Sequence, residues 1–281
     1  MLINQRVIYK DNSVLTDVSH ELNDLFNHTV SFSFVSAEDY FFIGSDLPFN
    51  HRYIQVVSAN NQAATPSIAI WDGSTWNSAV DVIDATKDGQ SYPLTASGIL
   101  RWSTDRNKSW AQEETTENIS ALSTLKIYNM YWMRLGFSAN LKNNASISYI
   151  GYKFGNDSTL AALYPDLARS AVMTAHTSGK TNWNEQQVLA SEMVVNDLRK
   201  ERILSSRSQI FEPETFEIAG VHKTAEIIYA AFGESKKEER LLARELYKEA
   251  MSGIIVNNID KDGDGHLSED EKFGTITWAR V

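Results

Sequence analysis

The chain has 281 residues, 42% of them hydrophobic and 22% charged, with five prolines and no cysteine. That length suits one large or two ordinary domains, and the composition is that of a folded chain rather than a disordered one. The missing cysteine excludes disulfides, thiolate metal sites and cysteine nucleophiles, and a net charge of −10 argues against a main partner with a nucleic-acid backbone, which calls for a dense basic surface.

The N-terminal stretch MLINQRVIYKDNSVL has no apolar run of signal-peptide length, and no segment reaches the ~20 apolar residues of a membrane span. The expectation is a soluble chain made in the cytoplasm. From Val30 to about Phe154 the pattern alternates with period two. VSFSFVS sets Val30, Phe32 and Phe34 on one face against Ser31 and Ser33; YWMRLGFS does the same with Tyr131, Met133, Leu135 and Phe137. Turn signals separate such runs at Asp72-Gly73, Asp88-Gly89, Gly98 and the Asn-rich NLKNNAS. Residues 1–155 therefore predict a β-rich domain, an antiparallel sandwich or barrel.

Trp71, Trp76, Trp102, Trp110 and Trp132 fall in this half. Such rings fill a small sandwich core or, when exposed, stack on sugars. Trp76 and Trp110, beside turns, are the two expected at the surface.

After Asn156 the period becomes helical, and residues 156–281 predict a bundle of about four helices. A short helical piece is expected within STLAALYPDLARSAVMTAHTSG. NWNEQQVLASEMVVNDLRKERIL opens with Asn182 and Glu185 at capping-box spacing and carries a stripe of Val188, Leu189, Met193, Val195 and Leu198. The next helix is expected to start at Pro213 and stop at Gly233, and the last to bury Leu242, Leu246, Ala250 and Ile254.

Near the C-terminus, DKDGDGHLSEDE matches the EF-hand loop at each defining position. Asp260, Asp262 and Asp264 offer oxygens at positions one, three and five. Gly265 permits the sharp turn, His266 offers its backbone carbonyl, Ser268 holds the ninth place and Glu271 binds bidentately at the twelfth. Leu267 is the apolar residue of position eight. Ca2+, which takes six to eight hard oxygen ligands, is the ion this set predicts. Gly274 follows closely and TITW is β-prone, so the loop reads as a structural clip that aims a short tail rather than as one hand of a sensor.

Other chemistry is thin. His222 has Lys223 and Glu226 nearby, but a histidine in a helix is more often a satisfied core or surface group. The histidines show no zinc-protease spacing, and no phosphate loop or nucleophile elbow occurs. Arg199, Lys200, Arg202 and Arg207 form a small basic run around SSRSQ, more typical of a solvated helix end. Asp39, Asp46, Asp72 and Asp84 are scattered over loops without a carboxylate pair. The expectation is a protein that is not an enzyme.

Several segments together resemble the neck or head-tail connector (adaptor) proteins of tailed bacteriophages: AEDYFFIGSDLPFNHRYIQV, IWDGSTWNSAVDVIDATKDG, ASGILRW and YWMRLGFS, then YPDL, NWNEQQVLASEMVVNDL, HKTAEIIYAAFGE and IDKDGDGHLSEDE. The resemblance implies an adaptor whose helical part docks on the portal protein and passes the DNA exit channel toward the tail. It also implies a homo-oligomeric ring, commonly of twelve copies, among other neck and tail proteins in the virion, without specific nucleic-acid binding and without a membrane. The β-rich half exceeds the minimal helical adaptor and is expected to serve as collar, fibre attachment or inter-subunit contact. The competing expectations are a carbohydrate-binding module with a dockerin-like calcium loop, an enzyme without a readable motif, and a calcium-signalling protein.

Overall fold

A computed structural model describes residues 5–24, 28–87, 89, 92–252 and 259–272. The chain divides into two units: residues 1–151 with 262–266, and residues 152–261 with 267–281.

Among the described residues, the first unit holds twelve strands in two antiparallel sheets, as the period-two runs predict. They are β1 (Gln5–Asp11), β2 (Val14–Asp17), β3 (Val30–Phe32), β4 (Tyr40–Ser45), β5 (His51–Ser58), β6 (Pro66–Trp71), β7 (Trp76–Ser78), β8 (Val80–Asp84), β9 (Gly98–Ser103), β10 (Gln112–Thr115), β11 (Tyr128–Phe137) and β12 (Ala145–Gly151). A short helix, α1 (Ser19–Asn23), follows β2. One sheet runs β2-β1-β4-β11-β6-β7, with β10 also pairing β11; the other runs β3-β12-β5-β9-β8.

Inward residues of both sheets share one apolar core, among them Val7, Phe41, Ile43, Met133 and Leu135 from the larger sheet and Phe32, Ile54, Leu100, Trp102 and Ile147 from the smaller. The larger sheet is also covered on its other face, where Ile8, Phe42, Trp71 and Trp132 pack with Ile119 and Leu122. That double cover explains YFFIGS, a near-continuous apolar run where a half-solvated strand would alternate. Gly98 marks the tightest approach in the smaller sheet: a methyl there would lie 2.0 Å from the Ala85 carbonyl oxygen.

The second unit is helical: α2 (Asp157–Leu163), α3 (Ser170–His176), α4 (Asn184–Lys200), α5 (Glu217–Ala231), α6 (Lys237–Ser252) and the one-turn α7 (Glu269–Lys272). Pro213 opens a 3-10 turn that leads into α5, and Gly233, at φ +64°, follows its end as a left-handed cap.

Three local expectations change. Asn182 and Glu185 form no capping box: Trp183 takes the N-cap position without a side-chain bond, and Glu185 pairs with Lys180. On α4 the buried face is Gln187, Val188, Ala190, Ser191, Val194, Val195 and Leu198, leaving Leu189 and Met193 exposed. On α6 the buried stripe is Ala243, Tyr247 and Met251, one position past the predicted one, and Leu242 is 58% exposed. Apolar residues on both faces of these helices allowed two stripes, and packing against α5 selected one. Ile254 lies outside the described residues.

Candidate metal centre

Asp260 is reached from an anchored entry. Ile210 and Ile259 form an isolated antiparallel bridge, and the Asp260 N–H donates to the Gln209 carbonyl at 3.0 Å. The Gln209 side chain closes the pair by donating to the Asp260 carbonyl at 2.8 Å. Its oxygen accepts from the Ser205 and Ser206 N–H groups at 2.7 and 3.0 Å. Ser206 and Gln209 make a capping box on the 3-10 turn Arg207–Gln209, so the side chain that grips Asp260 is itself held. Asp260 is fully buried.

Beyond it the loop folds around its own carboxylates. The Asp264 N–H donates to Asp262 Oδ1 at 3.2 Å, and the His266 N–H donates to Asp264 Oδ1 at 2.7 Å. One carboxylate oxygen each of Asp260, Asp262 and Asp264 lie within 4.8 Å of one another. Three acidic groups so close repel unless a cation or protons intervene, and a hard divalent ion suits an all-oxygen set.

Gly263 and Gly265 have φ of +76° and +85°, the left-handed conformation that glycine adopts without cost. Gly265 is required a second time by space, since a methyl there would lie 2.4 Å from Trp110 Cδ1. Trp110 is accordingly buried, at 7% exposure, with its indole N–H donating to Thr104 Oγ1 at 3.0 Å. The expectation of an exposed Trp110 is corrected: a ring beside a turn can still be covered by a distant loop. Trp76 is half-buried against Phe42 and Trp71, with the Arg134 guanidinium 5.1 Å from its ring.

His266 is fastened at both ends, its ring Nε2 donating to the Lys108 carbonyl at 2.8 Å. Glu271 Oε1 accepts the Lys261 N–H at 2.6 Å, and Oε2 accepts both the N–H and hydroxyl of Ser268 at 2.9 Å. Glu271 therefore stands outside the aspartate triad here, as the cap of α7. The residues after Lys272, including Gly274 and the TITW tail, lie outside the described ones.

The remaining candidates are engaged in structure. His222 Nδ1 hydrogen-bonds the Tyr164 hydroxyl at 2.7 Å, and burial lowers its pKa. Glu226 instead meets Lys223 at 2.9 Å and Arg244 at 2.7 Å; burial works to raise its pKa, but these two cations hold it below the usual range. They line a cavity of about 500 Å³ with Asp197 and Tyr247. In the basic run, Arg207 pairs with Glu192 and Arg199 donates to the Ser205 carbonyl. Asp39 accepts the Asn12 and Val35 N–H groups, Asp46 the Leu47 N–H and Asp84 the Thr86 N–H. Asp72 accepts from Thr75, Ser74 and Asn77, which together hold its carboxyl far below the usual range. These aspartates lock turns, as Asx side chains do.

A second cluster escaped the sequence. His20, Asp24 and His28 place one ligand atom each within 4.8 Å of one another. A search for two histidines four apart passes over them, because Asp24 occupies the middle place. Among the described residues no helix is long and apolar enough to cross a membrane. Comparison with family models, with characterised proteins and with solved structures returns no match. What the chain does must therefore be read from its own residues.

Proposed function

We propose that the chain is a structural subunit of a tailed-phage neck, a head-tail adaptor joining portal to tail, and that its C-terminal loop holds a structural Ca2+. The ion is supported by one observation above all: Asp260, Asp262 and Asp264 converge in a loop with full EF-hand spacing and with glycine at the left-handed sixth position. Asp260, Asp262, Asp264 and Glu271 would hold the ion by carboxylates, His266 by its carbonyl and Ser268 through water. Bound there, Ca2+ neutralises the carboxylates and stabilises the folded loop by mass action.

The assembly is supported by the resemblance of the quoted segments. A ring subunit needs rigid domains and a fixed exit for its C-terminal tail, and a clamped loop supplies that exit. A β-sandwich would serve as collar or attachment surface, and the helical bundle as the portal-facing part. The carbohydrate-binding alternative is weakened by Trp110, whose ring is buried and so denied to a sugar.

Calorimetry with Ca2+ and Mg2+ tests the ion: one tight Ca2+ site, lost in Asp262→Asn, is expected, and absence of saturable binding refutes it. Electron microscopy of the particles that carry the protein tests the assembly. A ring of about twelve copies between portal and tail is expected from the resemblance; recovery only in the particle-free fraction rejects it.

A further inference from the structure

We propose that His20, Asp24 and His28 form a second metal site, selective for Zn2+ or a similar borderline transition-metal ion. His20 lies in α1 and Asp24 is its C-cap residue, so their four-residue spacing sets both on one side of a single turn. His28 returns to the same place. Its Nε2 is 3.8 Å from Asp24 Oδ2, and its ring centroid is 5.1 Å from that of His20 at an interplanar angle of 51°.

The 3.8 Å separation is too long for a direct hydrogen bond and suits two groups that share an ion between them. With metal–ligand bonds of about 2.0–2.1 Å, neighbouring ligand atoms of a tetrahedral zinc centre lie roughly 3.4 Å apart. Three atoms within 4.8 Å reach that geometry by small rotations of side chains that are exposed or half-buried. Two imidazoles and one carboxylate are a nitrogen-rich set that Ca2+ does not favour and Zn2+ does. Three protein ligands leave a fourth position for water.

The platform is rigid. Leu22, between the ligands, is fully buried in the core of the β-rich unit. Ser19 Oγ accepts the Val7 N–H at 2.8 Å, and Asn23 donates to the Ser19 carbonyl at 2.6 Å while accepting from Gln5 Nε2 at 3.0 Å. These bonds tie α1 to β1, so the element that carries His20 and Asp24 is held in place before any ion binds.

The test is zinc titration of the full chain by calorimetry, in excess Ca2+ and in an Asp262→Asn, Asp264→Asn background that removes the C-terminal loop as a competitor. One zinc equivalent is expected in both. His20→Gln and His28→Gln should each weaken it roughly tenfold or more, as loss of one of three ligands requires. The unsubstituted protein supplies a second readout, independent of how the variants fold: the imidazole NMR signals of His20 and His28 should shift on zinc addition. Absence of saturable zinc binding, an unchanged affinity in the double histidine variant, or shifts confined to His51, His222 or His266 would overturn the site. Because the loop is removed in one arm, failure of the calcium proposal leaves this result readable.

Discussion

Glu271 accepts the Lys261 backbone N–H at 2.6 Å, so the twelfth residue of the loop holds the second across nine intervening positions. The same carboxylate caps α7 through Ser268. One side chain thus clamps the start of the loop and caps the helix that follows it.

Glu271→Gln keeps the shape but removes the charge and leaves one good acceptor where there were two. Calcium affinity should fall by about tenfold or more, since ligand charge sets affinity in such loops. Calorimetry that finds equal affinity would remove Glu271 from the ligand set.

Gln209 bridges the Ser205–Ser206 backbone to the buried carbonyl of Asp260. Gln209→Ala removes this partner from the buried Ser206 N–H and Asp260 carbonyl and should cost about 1–3 kcal/mol of stability. It should also lower calcium affinity without touching a ligand, because Asp260 loses the side-chain half of its anchor and keeps only the backbone bond to residue 209. A variant with ordinary affinity and a lowered denaturation midpoint would show the bridge to be purely structural.

Gly265 and Trp110 should prove energetically coupled. Trp110→Ala removes a buried indole, at about 3–5 kcal/mol. Gly265→Ala puts a methyl at φ +85° and 2.4 Å from that indole, and should cost roughly 2 kcal/mol or more from the left-handed backbone and the clash. The double variant should lose less than the sum, since the new methyl enters space the indole vacated. Strict additivity in urea denaturation would contradict the contact.

Gly98→Ala should be among the most damaging single-methyl additions to the β-rich unit, because the obstacle is the Ala85 backbone rather than a movable side chain. A loss of about 2–3 kcal/mol is expected from the forced backbone shift. A variant of unchanged stability would mean that the β8–β9 edge yields freely.

His51 makes stability fall in acid. Its ring is buried beside the Asn50 side chain, and burial first, then the positive charges of Arg52 and Arg101, holds its pKa well below the ordinary 6.5. The folded protein keeps the ring neutral while the unfolded chain protonates it. Stability is therefore insensitive to this group above pH 7. It declines as the pH drops below about 6.5, by up to ~1.4 kcal/mol per pH unit. His222, lowered by burial in the same direction, adds to the slope. Denaturation between pH 7 and 5 should show a shallower decline for His51→Gln than for the unsubstituted chain.

Much of this was legible in residues alone. Period-two runs announced the strands, and Pro213 and Gly233 bounded α5, because backbone conformation there depends on the residue itself. The aspartates of the loop were legible for the same reason: their spacing and the glycine at position six are local requirements of wrapping a chain around a cation. Trp110, Leu242 and Met193 were misjudged because burial belongs to whatever covers a residue, and the covering groups are distant in sequence.

The sequence by itself determined the β-rich and helical halves and the acidic loop, each a matter of local periodicity and residue chemistry. Only the tertiary structure decided which helical stripe faces inward, that Gln209 grips Asp260 across 51 positions, that Gly265 lies on Trp110, and that His20, Asp24 and His28 meet. The first three depend on contacts between segments distant in sequence, and the last on a side-chain proximity that residue spacing alone does not give.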